Sequence, residues 1–182
     1  QINNPIISIH DHGAGGHLNC LSELVEETGG EIIINKLPLG DPTMSDKEII
    51  GNESQERMGL IIAKTGINKD SVVVDAGAGS GSLSLSLANI CKQVTCYDIN
   101  KQHLRVVEKN KILFGAENLI IKEGDVARDL SETNLDLITL DLPHPWKVVE
   151  KAEQNLKRGG FLVVYLPNIL QMKKFYDTMK ES

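Results

Sequence analysis

Four aspartates in this 182-residue chain stand at or just beyond the ends of strongly apolar runs. Asp75 closes "VVVDAG", Asp98 closes "VTCYDI", Asp125 follows "LIIKEG" and Asp141 interrupts "LITLDLP". Gly77, Gly79 and Gly81 come directly after Asp75 at G-x-G-x-G spacing. Glycines in a strand-to-helix turn let the backbone approach a ligand and adopt conformations that a Cβ would forbid. Dinucleotide sites use G-x-G-x-x-G and a helix N-terminus that holds pyrophosphate. The shorter spacing, with an acid just ahead of it, suits S-adenosylmethionine, which has no phosphate but carries a sulfonium, an amino-acid head and a ribose. Asp75 is suited to that cationic ligand, Asp98 to both ribose hydroxyls, and Asp125 to the adenine amino group. The competing reading makes these residues solvated turn acids and helix-capping glycines, and it applies most readily to Asp125.

The elements that must position these groups follow one rhythm from residue 67 onward. Strands are expected at 71–77, 93–99, 119–125, 135–142 and 160–167, with helices at 82–91, 101–115, 145–158 and 169–180. Strands this apolar, separated by helices, indicate a parallel sheet covered on both faces. The expected fold is α/β, a doubly wound Rossmann-like sheet of about five strands with its polar strand ends on one rim. Upstream, "PIISIHD" (5–11) and "EIIINKL" (31–37) read as strands around a helix at 18–28, and Ser45 with Glu48 has capping-box spacing.

The second half resembles a known family. "DAGAGSGSLS", "LDLPHPWKVVEKAEQNLKRGGFLVVYLPNILQ" and "GLIIAKTGI" are similar to the tRNA (adenine-N1)-methyltransferases that modify the T-loop adenine, over roughly residues 59–182. The resemblance implies that Asp141 hydrogen-bonds the N6 amino group of the target adenine and orients N1 for in-line attack on a methyl group. It also implies that Pro143, Trp146, Pro167 and Asn168 shape the substrate pocket, that tRNA is the partner, and that the protein is a tetramer. The family's N-terminal small β domain and its closing antiparallel strands have no counterpart in this stretch, so a truncated methyltransferase core is expected.

The first sixty residues point elsewhere. "NNPIISIHDHGAGGHLNCLSELVEE" and "KEIIGNESQER" resemble phosphoribosylformylglycinamidine synthase, the ATP-dependent amidating enzyme of purine synthesis, over residues 1–62. That resemblance implies an ATP and magnesium site at Asp11, Glu48 and Asn52, and oxygen ligands of this kind suit magnesium beside phosphates. His10, His12 and His17 lack the thiolates or helical spacing of a zinc site. "GLII" at 59–62 fits both resemblances, so the expected organisation is a synthase-like α+β fragment at 1–60 joined to a methyltransferase domain at 61–182.

Bulk composition limits the alternatives. No apolar run reaches the ~20 residues of a membrane span, and no signal segment is apparent. Cys20, Cys91 and Cys96 form no C-x-x-C pair, which favours a reducing, cytoplasmic setting. The net charge is −6, with ten acids against four bases in residues 1–66 and fifteen of each thereafter. Neither half has the basic excess of a self-sufficient nucleic-acid binder.

Overall fold

The computed structural model describes residues 61–181. The chain divides into two units, residues 1–63 and 64–182, and the elements below belong to the second. They run β1 (Val72–Ala76), α1 (Ser82–Ala88), β2 (Gln93–Asp98), α2 (Lys101–Phe114), β3 (Leu119–Glu123), α3 (Val126–Asp129) and β4 (Leu135–Leu140). A 3-10 turn (Pro145–Val148), α4 (Val149–Asn155), β5 (Leu156–Val164) and α5 (Ile169–Glu181) complete the order. The expected strands at 5–11 and 31–37 and the helix at 18–28 lie outside the described residues.

The five strands form one all-parallel sheet in the order β3-β2-β1-β4-β5. The chain builds outward from β1 through β2 and β3, then returns to β1's other side for β4 and β5. That reversal is the switch point at which open α/β sheets bind ligands, outside the carboxyl ends of the strands. Val73 and Val74 of β1, Val94 of β2, and Leu135, Leu137 and Ile138 of β4 are fully buried. A central parallel strand has both faces covered, which explains why these runs are apolar without alternation.

Side-chain caps and helix-ending glycines define the helices locally. Asn100 accepts a hydrogen bond from Gln102 N to open α2, and Gly115, at φ 63°, closes it in the left-handed conformation. Asp125 opens α3 in the same way, accepting from Ala127 N. In α1 the sequence "SLSLSLA" alternates with a period of two, yet it is helical. The pattern gives way because Ser84 is turned inward with Leu85, Leu87 and Ala88, and its hydroxyl meets a buried carboxylate.

The largest departure from the expected elements lies between β4 and β5. One helix was expected at 145–158, but a 3-10 turn and a seven-residue α4 end at Asn155, and β5 begins at Leu156. Leu135 pairs with Leu156 and Leu137 with Phe161, so between these pairs one residue of β4, Asp136, opposes four of β5. The excess is the "KRGG" stretch, in which Gly159 has φ 79°. Among the described residues no helix is long and apolar enough to cross a membrane.

Candidate functional site

Three strand ends are knitted together at the carboxyl rim. Gly77 N and Ala78 N both donate to Tyr97 O, tying the turn after β1 to β2 at 3.0 and 3.1 Å. Asp141 N donates to Ala76 O at 2.9 Å, tying the exit of β4 to β1. Gly77 sits at φ 85°, and a Cβ there would lie 2.1 Å from the carbonyl oxygen of Asp141. Only glycine permits this approach, so the glycine turn and Asp141 pack backbone to backbone. Gly81, also at φ 85°, lies against Val107 of α2, where a Cβ would come within 3.0 Å of Val107 Cγ1. Asn110, buried in α2, donates to Ser80 O at 3.0 Å and holds the same turn from below.

Asp98 is the acid that faces this turn. Its Oδ2 accepts from Gly79 N at 3.0 Å and its Oδ1 from Asn100 N at 2.8 Å. His103 Nδ1 lies 3.1 Å from the same Oδ2. The carboxylate therefore sits at the end of β2, against the glycine turn, where a ribose diol must lie if the turn holds an adenosyl group.

Asp75 takes a different position. It is 2% exposed and lies beneath the turn. Ser84 Oγ of α1 donates to its Oδ2 at 2.5 Å, and Thr139 Oγ1 of β4 donates to its Oδ1 at 2.7 Å. Burial pushes this carboxyl above the ordinary carboxylate range; the two hydroxyls oppose the shift, and the nearby Asp141 and Asp98 charges reinforce it. Asp75 thus braces α1 and β4 from inside the sheet, two residues before Asp141 on the β4 side.

Asp125 lies one residue beyond Gly124, whose N–H donates to Asp98 O at 3.1 Å. Its carboxylate caps α3 and pairs with Arg128 Nε at 3.5 Å. Asp125 therefore borders the rim while serving as a helix cap.

The turn after Asp141 is clamped from the far side by α5. Trp146 is half-buried, with the His144 ring 5.1 Å from it between centroids and Lys174 Nζ 4.1 Å from its ring centroid. Asn168 Oδ1 accepts from Gln171 N at 3.0 Å, and Gln171 Nε2 donates to Pro143 O at 3.4 Å. Pro143, Trp146 and Asn168 thus belong to one connected wall. Pro167 lies exposed at its edge.

Burial drives the thiols of Cys91 and Cys96 up to about 11 and about 12, so both stay protonated and are poor nucleophiles. Asp11, Glu48 and Asn52 lie outside the described residues. Among the described residues no group of three or more His, Cys, Asp or Glu side chains is placed to hold a metal ion.

Residues 55–182 match the family described as the tRNA methyltransferase complex GCD14 subunit. The chain belongs to this family. A curated relative, the tRNA (adenine(57)-N(1)/adenine(58)-N(1))-methyltransferase of Methanocaldococcus jannaschii, is 35% identical over 179 residues, covering 79% of this chain and 64% of its own length. The crystal structure of a tRNA (m1A58) methyltransferase from Aquifex aeolicus superposes with a TM-score of 0.64 at 20% identity, covering 92% of this chain and 65% of that one. At that identity the likeness concerns the fold, and it agrees with the Rossmann-like sheet expected from the sequence. Residues 1–66 match a second family, the C-terminal domain of AIR synthase related proteins. Phosphoribosylformylglycinamidine synthase of Dictyostelium discoideum is 49% identical over 59 residues, which make up 32% of this chain and 4% of the synthase. The chain is therefore chimera-like, and the two family matches overlap across residues 55–66, where "GLII" lies.

Sequence reasoning missed three members of the site. Ser84 was hidden in a run of alternating serines, although Thr139 in an otherwise apolar strand was a visible sign of a buried polar partner. His103 gave no signal beyond its place one turn into the helix after Asp98.

Proposed function

We propose that the methyltransferase half of this chain binds S-adenosylmethionine and transfers its methyl group to N1 of an adenine in tRNA. The observation that carries this reading is the backbone contact between Gly77 of the glycine turn and Asp141 of the "DLPHPW" turn. It brings the glycine turn and the backbone of Asp141 together on one rim, which supports reading the turn as the cofactor loop and Asp141 as the acid that meets the substrate base. The residues present suit the cofactor: the Asp98 carboxylate lies against the turn for the ribose hydroxyls, and the left-handed glycines keep the turn free of side chains that would fill the cradle. Asp125, beside Gly124, borders the place expected for the adenine ring.

When bound, the sulfonium supplies an electrophilic methyl group and a neutral leaving group. The chain's own task is then orientation. Asp141 accepts a hydrogen bond from the adenine N6 amino group, which turns N1 toward the methyl donor. Pro143 and Pro167 restrict the walls, and Trp146, steadied by Lys174, backs the turn that carries Asp141. Asp75 acts beneath the site, fixing α1 relative to β4 rather than touching the ligand.

The domain boundary is proposed near residue 60. The synthase-like segment is proposed to carry the remnant of an ATP and magnesium site at Asp11, Glu48 and Asn52, and the assembled protein to be a cytoplasmic tetramer. Titration with S-adenosylhomocysteine tests the cofactor reading. The wild-type chain should bind, and Asp98→Ala should weaken binding roughly 100-fold, since two hydrogen bonds to a charged acceptor are lost. Methylation of a tRNA transcript should fall at least tenfold in Asp141→Ala, equivalent to about 1.4 kcal/mol of barrier. Unchanged methylation would remove Asp141 from the mechanism.

A further inference from the structure

A carboxylate offers about four lone-pair positions to hydrogen-bond donors. On Asp98 three of them are already engaged. Oδ1 accepts from Asn100 N, and Oδ2 accepts from Gly79 N and faces His103 Nδ1. One position remains, on Oδ1. A ribose presents two vicinal hydroxyls, and a carboxylate that takes both needs two positions. One existing partner must therefore leave when an adenosyl ligand binds.

The three partners differ in how firmly they are held. Gly79 N belongs to the glycine turn, which is fixed at both ends by backbone hydrogen bonds to Tyr97 and by packing on Asp141 and Val107. Asn100 N belongs to the residue that caps α2, and moving it would open that helix. His103 is held only by its own side chain, which is 51% exposed. Rotating it into water breaks one hydrogen bond and disturbs no backbone. Lys101, two residues earlier on α2, pairs with Glu123 of β3 at 3.3 Å.

We infer that His103 is a displaceable stand-in for a ribose hydroxyl: it holds Asp98 Oδ2 in the ligand-free protein and must swing away for the diol of an adenosyl ligand to bind. The inference rests on the methyl-donor reading above and deepens it, because it assigns a role to a residue outside the glycine turn. Its consequence is competition. Each diol-bearing ligand must break the histidine–carboxylate pair, so the native histidine weakens binding. A pair with one half-exposed partner is worth a few tenths to about 1 kcal/mol, which corresponds to about two- to fivefold in affinity.

The competition has a chemical signature that a structural role would not produce. A ligand with a single ribose hydroxyl can use the open position on Oδ1 and leave His103 in place. Removing the histidine should therefore tighten binding of S-adenosylhomocysteine about two- to fivefold and leave binding of its 2′-deoxy counterpart unchanged. Wild-type protein should consequently discriminate between the two ligands less sharply than the variant does.

The experiment is calorimetric titration of the full chain with both ligands, in wild type, His103→Ala and His103→Phe. Phenylalanine keeps the ring's bulk and lacks the donor, so it should match alanine. In the wild type, the ring resonances of His103 should also shift on addition of S-adenosylhomocysteine. Weaker binding in His103→Ala would overturn the inference by making the histidine a ligand contact. Equal tightening for both ligands, or a phenylalanine variant that behaves as wild type, would overturn it in favour of simple occlusion. Binding by wild type with no change in either variant would refute this inference alone. Failure of all three proteins to bind S-adenosylhomocysteine would refute the methyl-donor reading and this one with it.

Discussion

Substituting alanine for Gly77 tests whether the glycine turn and the Asp141 turn form one unit. The left-handed conformation at φ 85° costs a residue with a Cβ about 1–2 kcal/mol. The new Cβ would lie 2.1 Å from Asp141 O, against a floor of 3.0 Å for real Cβ atoms, so one backbone must retreat by 0.9 Å (3.0 − 2.1). Forced backbone shifts in packed regions cost about 1–3 kcal/mol. The expected loss of stability is therefore about 2–5 kcal/mol, a large share of a domain's typical margin. Any protein that still folds should also bind S-adenosylhomocysteine on the order of 100-fold more weakly, because misplacement by about 1 Å has effects of that size. Gly81→Ala carries the same φ cost but meets only a side chain, at 3.0 Å from Val107 Cγ1. Its loss should be smaller, about 1–3 kcal/mol, and partly relieved in a double variant with Val107→Ala. Gly79→Ala, with its nearest contact at 4.0 Å, should show the conformational cost alone, about 1–2 kcal/mol. Urea unfolding gives the ranking, and ligand titration gives its functional counterpart. If Gly77→Ala unfolds at the same urea concentration as Gly79→Ala and binds ligand normally, the coupling argued from the Gly77–Asp141 contact is wrong.

Three further outcomes follow from the titratable and aromatic groups. Burial raises the Asp75 carboxyl, so its contribution to stability is greatest at acid pH and is lost as pH rises through its folded value. Asp75→Asn should flatten that decline in thermal melts taken from pH 4 to 7, whereas Asp75→Leu should cost about 1–3 kcal/mol for each hydroxyl left unpaired on Ser84 and Thr139. Glu132 behaves oppositely. Burial pushes its carboxyl up, but hydrogen bonds from Lys122 and Tyr97, each 2.6 Å long, outweigh burial and hold it below the ordinary range. Its contribution is present at neutral pH and lost as pH falls through its folded value, so Glu132→Gln should cost about 1–2 kcal/mol at pH 7 and progressively less as the pH is lowered. Lys174→Ala removes the cation over Trp146 and should lower the melting temperature by about 1–4 °C, and a melt unchanged within error would show that the clamp on the "DLPHPW" turn lies elsewhere.

The sheet was legible because its signals are redundant. Each of the five strands contains an apolar run of strand length, and the glycine turn marks the helix start where the chain leaves β1. Legibility failed where tertiary contacts replaced local preference. Residues 145–158 have helical composition throughout, yet the helix stops at Asn155 because β5 must start at Leu156 to pair with Leu135. The turn after β3 was read as a strand end, but Asp125 caps a single turn of helix there, since its carboxylate can reach Ala127 N. The helix expected at 82–91 is present as α1 despite its period-two serines; what stayed hidden there was the buried carboxylate that receives the Ser84 hydroxyl.

The acids show the same limit at the level of function. From the sequence alone, Asp75 and Asp98 have equal standing: each ends a buried strand next to the glycine turn, and each suits a ligand with a cation and a diol. Both are buried, and their partners separate them. Asp98 lies at the rim, with two backbone N–H groups fixing its carboxylate and one half-exposed side chain, that of His103, beside Oδ2. Asp75 points into the sheet, where two hydroxyls from neighbouring elements meet it. The two acids share a face of the sheet, since Asp75 pairs with Cys96 and Asp98 comes two residues later. Depth along the strand makes the difference. Asp75 stands level with Cys96 and Thr139, inside the ladder, whereas Asp98 ends β2 beyond them. No motif spacing within "DAGAG" states that depth, because the register of β1 with β2 and β4 sets it.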